Sequence, residues 1–239
     1  MAALTFLTRI PVGRWVAVGP VDIARGAVLW PVIGGMIGAL AGLAAAGLEG
    51  PLPPLVAGGI GLAVAVAVTG ALHIDALADT ADAIGAGRER ALEVMRDPRI
   101  GVFGAAAVAL AVLVEAAALG GLADTGDAVA GFAVAGAVSR ATAPALALAV
   151  PYARPSGTGA VFSRGLSALS AVGGAAIAGV LAGWLFGWEG LVVAGGAALL
   201  AAACGLLSWA WLGGVTGDTL GAAVQVIEIG VLVALLGVR

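Results

Sequence analysis

The segment Leu72-His73-Ile74-Asp75-Ala76-Leu77-Ala78-Asp79-Thr80-Ala81-Asp82 carries three aspartates at positions 75, 79 and 82. In an α-helix, offsets of four and seven put the second and third about 40° and −20° from the first. The three carboxylates then share one narrow face. Like charges so placed repel by a few tenths of a kcal/mol per pair in water, and by more in a drier setting. A divalent cation carrying a phosphorylated substrate is the economical counter-charge. Mg²⁺ suits it, because it takes oxygen ligands and keeps substrate phosphates in its shell. The plainer alternative is a solvated helix end that stops membrane transfer, but such a signal has no need of a common face.

The elements around these aspartates read as membrane. The chain has 239 residues, 62% hydrophobic and only 10% charged, against about 25% charged in soluble domains. Small residues dominate, with 40 glycines, and small residues let helices pack closely in lipid. The fold class expected is all-α: a polytopic transmembrane helical bundle of about seven spans, forming one domain over 1–239. The spans fall near 28–48, 55–74, 101–120, 128–149, 168–186, 190–211 and 220–238, each about 19–22 residues and long enough for about 30 Å of hydrocarbon. A short surface helix is expected over 88–97, stopped by Asp97-Pro98. Arg9, Arg14 and Arg25 interrupt the first residues, which do not read as a secretory signal.

Arginine position sets the orientation. Arg9, Arg14, Arg25, Arg88, Arg90, Arg96, Arg99, Arg154 and Arg164 fall on one side of the expected spans, and only Arg239 on the other. The positive-inside rule makes the first side, with the N-terminus, cytoplasmic. Trp184 and Trp188 then mark one interface, and Trp30, Trp209 and Trp211 the other. The aspartate face and the loop Gly213-Gly214-Val215-Thr216-Gly217-Asp218-Thr219 share the cytoplasmic side. Cys204 is the single cysteine, which excludes an intramolecular disulfide and a cysteine metal cluster. No GxxxxGK loop and no serine–histidine pattern occurs.

Further side chains invite chemistry. Asp218 in its glycine-rich loop can bring a carboxylate to a phosphate or metal; a simple interhelix turn is the alternative. Arg140 inside an apolar span either grips an anionic phosphate or pairs with one of the aspartates. Arg96 and Arg99 either meet phosphate or only anchor the chain. His73, two residues before Asp75, points away from the aspartate face and suits packing better than ligation. Glu228 needs a bundle-facing role, with no specific assignment.

Taken in order, several stretches resemble one family, the cobalamin synthases, also called adenosylcobinamide-GDP ribazoletransferases. They are Phe6-Leu7-Thr8-Arg9-Ile10-Pro11-Val12, Trp30-Pro31-Val32-Ile33-Gly34-Gly35, the His73–Asp82 run, Met95-Arg96-Asp97-Pro98-Arg99-Ile100-Gly101-Val102-Phe103-Gly104, Ser139-Arg140 and Gly214-Val215-Thr216-Gly217-Asp218-Thr219-Leu220-Gly221-Ala222. Each is weak alone; their order over nearly the whole chain is specific. One departure is Val224-Gln225, where the family usually shows another acid before the glutamate matching Glu228.

The resemblance implies a Mg²⁺-dependent enzyme of the bacterial inner membrane with its active site facing the cytoplasm. Its implied partners are adenosylcobinamide-GDP, α-ribazole or α-ribazole 5′-phosphate, and the lipid bilayer; no nucleic acid is expected. The products implied are adenosylcobalamin, or its 5′-phosphate, and GMP. Asp75, Asp79 and Asp82 are the expected catalytic residues and metal ligands, with Asp82 alternatively a base and Asp218 a further metal ligand. Arg9, Arg96, Arg99, Arg140 and Thr216 are the expected substrate contacts. The rival readings are a CDP-alcohol phosphotransferase-like enzyme, whose spaced aspartates look similar, and a cation transporter. A transporter needs broken helices with polar groups near the midplane, whereas these acids gather at one face.

Overall fold

A computed structural model describes residues 1–11, 17–154 and 158–239. Arg14, counted above among the cytoplasmic arginines, lies outside them, as does Val12 of the first motif. The described residues are helical throughout, apart from turns and two isolated bridges. The helices are α1 (Ala2–Leu7), α2 (Pro20–Arg25), α3 (Trp30–Ala46), α4 (Pro54–Thr69), α5 (Leu72–Ala86), α6 (Ala91–Val94), α7 (Val102–Asp124), α8 (Ala128–Ala149), α9 (Thr158–Gly165), α10 (Ala168–Leu212) and α11 (Gly217–Gly237).

Five segments are long and apolar enough to cross a membrane, and the bent pair α4–α5 is a sixth. The longest of the five, α10, has 45 residues. A straight helix of that length would run ~67 Å, about twice the hydrocarbon thickness. It is not straight. Gly187 has φ 61° and ψ −142°, a conformation only glycine adopts readily. Past that break Gly190 packs on Ala182 and Leu191 on Gly183, so the two arms fold back on each other. With the two arms of α10 counted separately, the described residues hold seven apolar helical segments, a number close to the spans expected.

The centre of the bundle is α8, buried along nearly its whole length. On α3 the glycines at 34, 38 and 42 form a four-residue repeat. A Cβ at any of them would run into the α8 backbone at Gly136, Phe132 or Ala128. This is the small-residue packing that lipid favours, because close backbone approach replaces a solvent-driven force. By contrast, α10 shows much of its surface, including Val172, Val180, Leu199, Leu206 and Leu207, as a lipid-facing helix should. Trp184 and Trp188 at the fold-back are exposed and fit an interface belt. Trp30 does not: it is buried. Trp211 packs onto a small cluster of Ala83, Ala91 and Met95.

The second span ends earlier than expected. Helix α4 stops at Thr69, capped by Gly70 in the left-handed region (φ 67°) with its N–H on the Val66 carbonyl at 2.7 Å. Ala71 follows at φ 61°, uncommon for a residue with a Cβ. Two left-handed residues turn the chain by 91° into α5. The aspartates therefore sit on a separate helix lying across the span, not on its straight end. The surface helix expected over 88–97 is present in shorter form as α6.

Candidate active site

The bend is braced from the N-terminus. Arg9 donates its backbone N–H to the Val68 carbonyl at 2.8 Å, and its side chain lies against Gly70. This places Arg9, exposed, at the corner before α5; it does not line the cavity described below.

Along α5, Asp75 is exposed, and Asp79 and Asp82 are partly buried. Helix α11 runs beside α5, and Gly221 makes the approach possible: a Cβ there would be 2.5 Å from that of Ala76. Asp218, in the first turn of α11, is thereby brought to the aspartate face. Asp79, partly buried, has Asp75, Asp218 and Asp82 as like-charged neighbours, with the Arg154 guanidinium opposing them. Asp82 is spoken for. Its two oxygens accept the N–H groups of Gly101 at 2.6 Å and Gly104 at 2.8 Å, at the start of α7. It caps a helix across the loop, satisfying donors that α7 leaves open.

The loops on either side are stitched together. Ala153 donates to the Val215 carbonyl and Val215 to that of Pro151, both at 2.8 Å. The Tyr152 hydroxyl accepts from the Gly217 N–H at 3.2 Å. Arg154 then reaches Asp218 at 3.1 Å. Arg154 was read only as an orientation signal, yet it is the arginine nearest the carboxylates. With Arg96, Glu93 and Asp97 it lines an outer pocket of about 570 Å³. Arg99 lies apart, exposed and clamped by Asp97 through bonds of 2.8 and 2.6 Å. That clamp holds the Asp97 carboxyl down at about 2. Thr216, expected to touch substrate, is fully buried. Its hydroxyl accepts from Thr219 N–H at 3.1 Å, while its own N–H donates to the Thr219 hydroxyl at 2.8 Å. It is the N-cap of α11 and positions Asp218 from beneath.

An inner cavity of about 300 Å³ has Asp218, the partner of Arg154, in its lining. Asp75 and Asp218 line one part of it, and Phe6, Trp30, Tyr152 and Phe162 another.

Arg140 is not in either pocket. It is 4% exposed and ion-paired to Glu228 on α11, itself 3% exposed. It also donates to the Ser139 hydroxyl at 2.9 Å and stands 3.5 Å from His73 Nδ1. Nearby, Gln225 donates to Glu115 at 2.8 Å. Neither reading of Arg140 from the sequence holds. Its counter-ion is a glutamate of the last helix, because a buried guanidinium takes the nearest carboxylate that shares its dry interior. Gln225, where the family pattern suggested an acid, hydrogen-bonds the carboxylate that α7 supplies.

A family model described as Cobalamin-5-phosphate synthase matches residues 1–236. The chain belongs to this family. It is 39% identical over 248 residues to the adenosylcobinamide-GDP ribazoletransferase of Pseudomonas aeruginosa strain UCBPP-PA14, covering 98% of this chain and 96% of that protein. It is 39% identical over 245 residues to the protein of the same name in Escherichia coli strain K12 / DH10B, covering 98% of each. No solved structure matches the chain. The cobalamin-5-phosphate synthase match takes in every element just described, from Arg9 through the α5 aspartates to Glu228.

In this member of the cobalamin-5-phosphate synthases, the donor set fits a hard cation. Asp75, Asp79 and Asp218 offer only oxygens, and their crowding asks for positive charge. Among the described residues no three acidic or histidine side chains converge into a cage of their own. Mg²⁺ is commonly held by one or two carboxylates with substrate phosphates and water completing its shell, so an open donor set of this kind suits it.

Proposed function

We propose that the chain is an adenosylcobinamide-GDP ribazoletransferase that works at the cytoplasmic face of the bacterial inner membrane. The 3′-hydroxyl of α-ribazole, or of its 5′-phosphate, attacks the phosphorus that carries the cobinamide. A new P–O bond forms, the phosphoanhydride P–O bond to GMP breaks, and the hydroxyl proton passes to the carboxylate set. The observation that carries this reading is the meeting of Asp75 and Asp79 on α5 with Asp218 on α11, beside the arginine-lined pocket and the inner cavity. Family membership supports the same chemistry.

The protein's own residues contribute position and charge. Arg154 and Arg96 offer guanidinium groups to a diphosphate entering the outer pocket, and arginine's fork suits paired phosphate oxygens. Arg154 also fixes Asp218. Asp75, Asp79 and Asp218 are the carboxylates that would share a Mg²⁺ ion with phosphate oxygens and water, and the ion would supply charge neutralisation for the pyrophosphate and for departing GMP. The outer pocket, through Arg154, and the inner cavity, through Asp218, meet at the Arg154–Asp218 pair, so donor and acceptor held there would meet by a fixed approach and not by chance encounter.

The test is GMP release by the purified protein in liposomes, from adenosylcobinamide-GDP with α-ribazole, with and without Mg²⁺. GMP formed in step with the cobalamin product, and only with Mg²⁺, is the expected result. Turnover of a CDP-alcohol donor in place of adenosylcobinamide-GDP would overturn the assignment.

A further inference from the structure

The inner cavity has features that phosphoryl transfer does not use. Trp30 stacks with Phe6 (centroids 5.0 Å apart, planes 19°) and with Phe162 (5.3 Å, 9°). These three rings come from α1, α3 and α9 and form an aromatic wall. Trp30 is only 4% exposed, yet its indole N–H has no hydrogen-bond partner. A buried donor without an acceptor is costly and uncommon in native proteins. The rest of the lining is largely apolar, with Ile23, Leu72, Leu220 and Val224, and its polar groups are few: the carboxylates of Asp75 and Asp218 and the hydroxyl of Tyr152 among them. That hydroxyl accepts from Gly217, so its own hydrogen is free to be donated.

An aromatic wall, a lone donor and carboxylates elsewhere in the lining describe a flat heteroaromatic base joined to a sugar. We infer that the inner cavity is the acceptor subsite, with the α-ribazole base against the Phe6–Trp30–Phe162 wall and its unsubstituted ring nitrogen accepting from Trp30 Nε1–H. The ribose then lies toward Tyr152, Asp75 and Asp218, which puts its hydroxyls beside the carboxylate set. Size supports this placement. Ligand cavities run from about 300 to 1,000 Å³, and this one, at about 300 Å³, admits a nucleoside. A corrinoid is several times larger than a nucleoside, so the donor keeps its macrocycle outside, on the side of the outer pocket. Trp30 is thus a specificity-determining residue for the acceptor. The inference rests on the proposed transferase reaction.

The decisive experiment swaps the acceptor as well as the residue. The α-riboside of 5,6-dimethylindole keeps the shape of α-ribazole but lacks its free ring nitrogen. With the wild-type protein its KM should exceed that of α-ribazole by about two- to tenfold, the range of one hydrogen bond. Trp30→Phe should raise the KM for α-ribazole by a similar factor, leave that for the indole riboside unchanged, and leave the KM for adenosylcobinamide-GDP unchanged. Phe162→Leu should raise KM about tenfold for both acceptors, through lost aromatic packing. Equal KM values for the two acceptors on the wild-type protein would overturn the inference without any variant having to fold. So would a Trp30→Phe effect confined to the donor. Should the wild-type protein release no GMP, the transferase reading fails, and calorimetry of α-ribazole binding without donor still judges the cavity. Binding weakened in Trp30→Phe upholds it; no binding to the wild-type protein overturns it.

Discussion

Asp75 and Asp79 differ from Asp82 in what holds them. Asp82 gives both oxygens to the start of α7, whereas Asp75 and Asp79 have no such bonds and face Asp218. Asp75→Asn or Asp79→Asn should therefore abolish GMP release while the protein melts near the wild-type temperature. Asp82→Asn should keep most activity at some cost in stability, since its amide oxygen retains one of the two bonds while its NH2 meets the other N–H. Asp82→Ala should lose about 1 kcal/mol of stability. Assaying turnover and thermal melting on the same preparations separates the roles. An Asp82→Asn protein that stays folded at the assay temperature yet releases no GMP would return Asp82 to the reacting group. Arg140 and Glu228 call for the opposite pattern. Breaking a buried pair from one side leaves an uncompensated charge and costs about 3–5 kcal/mol. Arg140→Met should melt far below the wild type, and the molecules that remain folded should keep a normal KM for both substrates. The aspartate face was legible from spacing alone, because helical geometry is local. The partner of Arg140 was not, because Glu228 lies beyond α9 and α10 and nothing in either segment names the other. Arg154 escaped notice because a loop arginine in a membrane chain already has a sufficient explanation as a topology signal.

At the scale of elements, the site depends on how closely α11 approaches α5. Gly221→Leu should force the two helices apart at Ala76 and shift Asp218 away from Asp75 and Asp79. A displacement of about 1 Å can cost about a hundredfold in rate, so GMP release should fall by about that factor. Gly195→Leu is the control: a Cβ there meets nothing within 4 Å, and its activity should match the wild type. Equal activities in the two variants would show that the contact does not set the geometry. The seven apolar segments were readable to within a few residues, since hydrocarbon thickness dictates their length. The corner at Gly70-Ala71 was not, because 70–74 stay largely apolar around the turn and hydropathy carries no dihedral angle. Thr216 was misread for a related reason. A threonine just before a helix is an N-cap by default, and its place in a family motif drew it toward the substrate instead.

For the molecule as a whole, orientation decides which substrates reach the site. The proposed cytoplasmic site rests on the positive-inside rule applied to the arginines beside the α5 face and the outer pocket. In a Cys204→Ser background, Arg88→Cys should resist an impermeant thiol reagent in intact cells and react in inverted vesicles. Asp124→Cys, at the far end of α7, should do the reverse. Labelling of position 88 from outside would contradict a cytoplasmic site. The internal ion pair has a bearing on how the protein is made. Helices emerge from the ribosome in order, so Arg140 enters the membrane region while Glu228 is still unsynthesised. Until α11 arrives, the central helix carries a cation without its ion-pair partner, with only Glu115 of α7 as a nearby carboxylate, and the same late helix brings Asp218. Biogenesis and catalysis thus share a final step. A chain cut short before α11 would leave Arg140 without Glu228 and Glu115 without Gln225, which should direct it to quality-control proteolysis rather than to accumulation as an inactive enzyme.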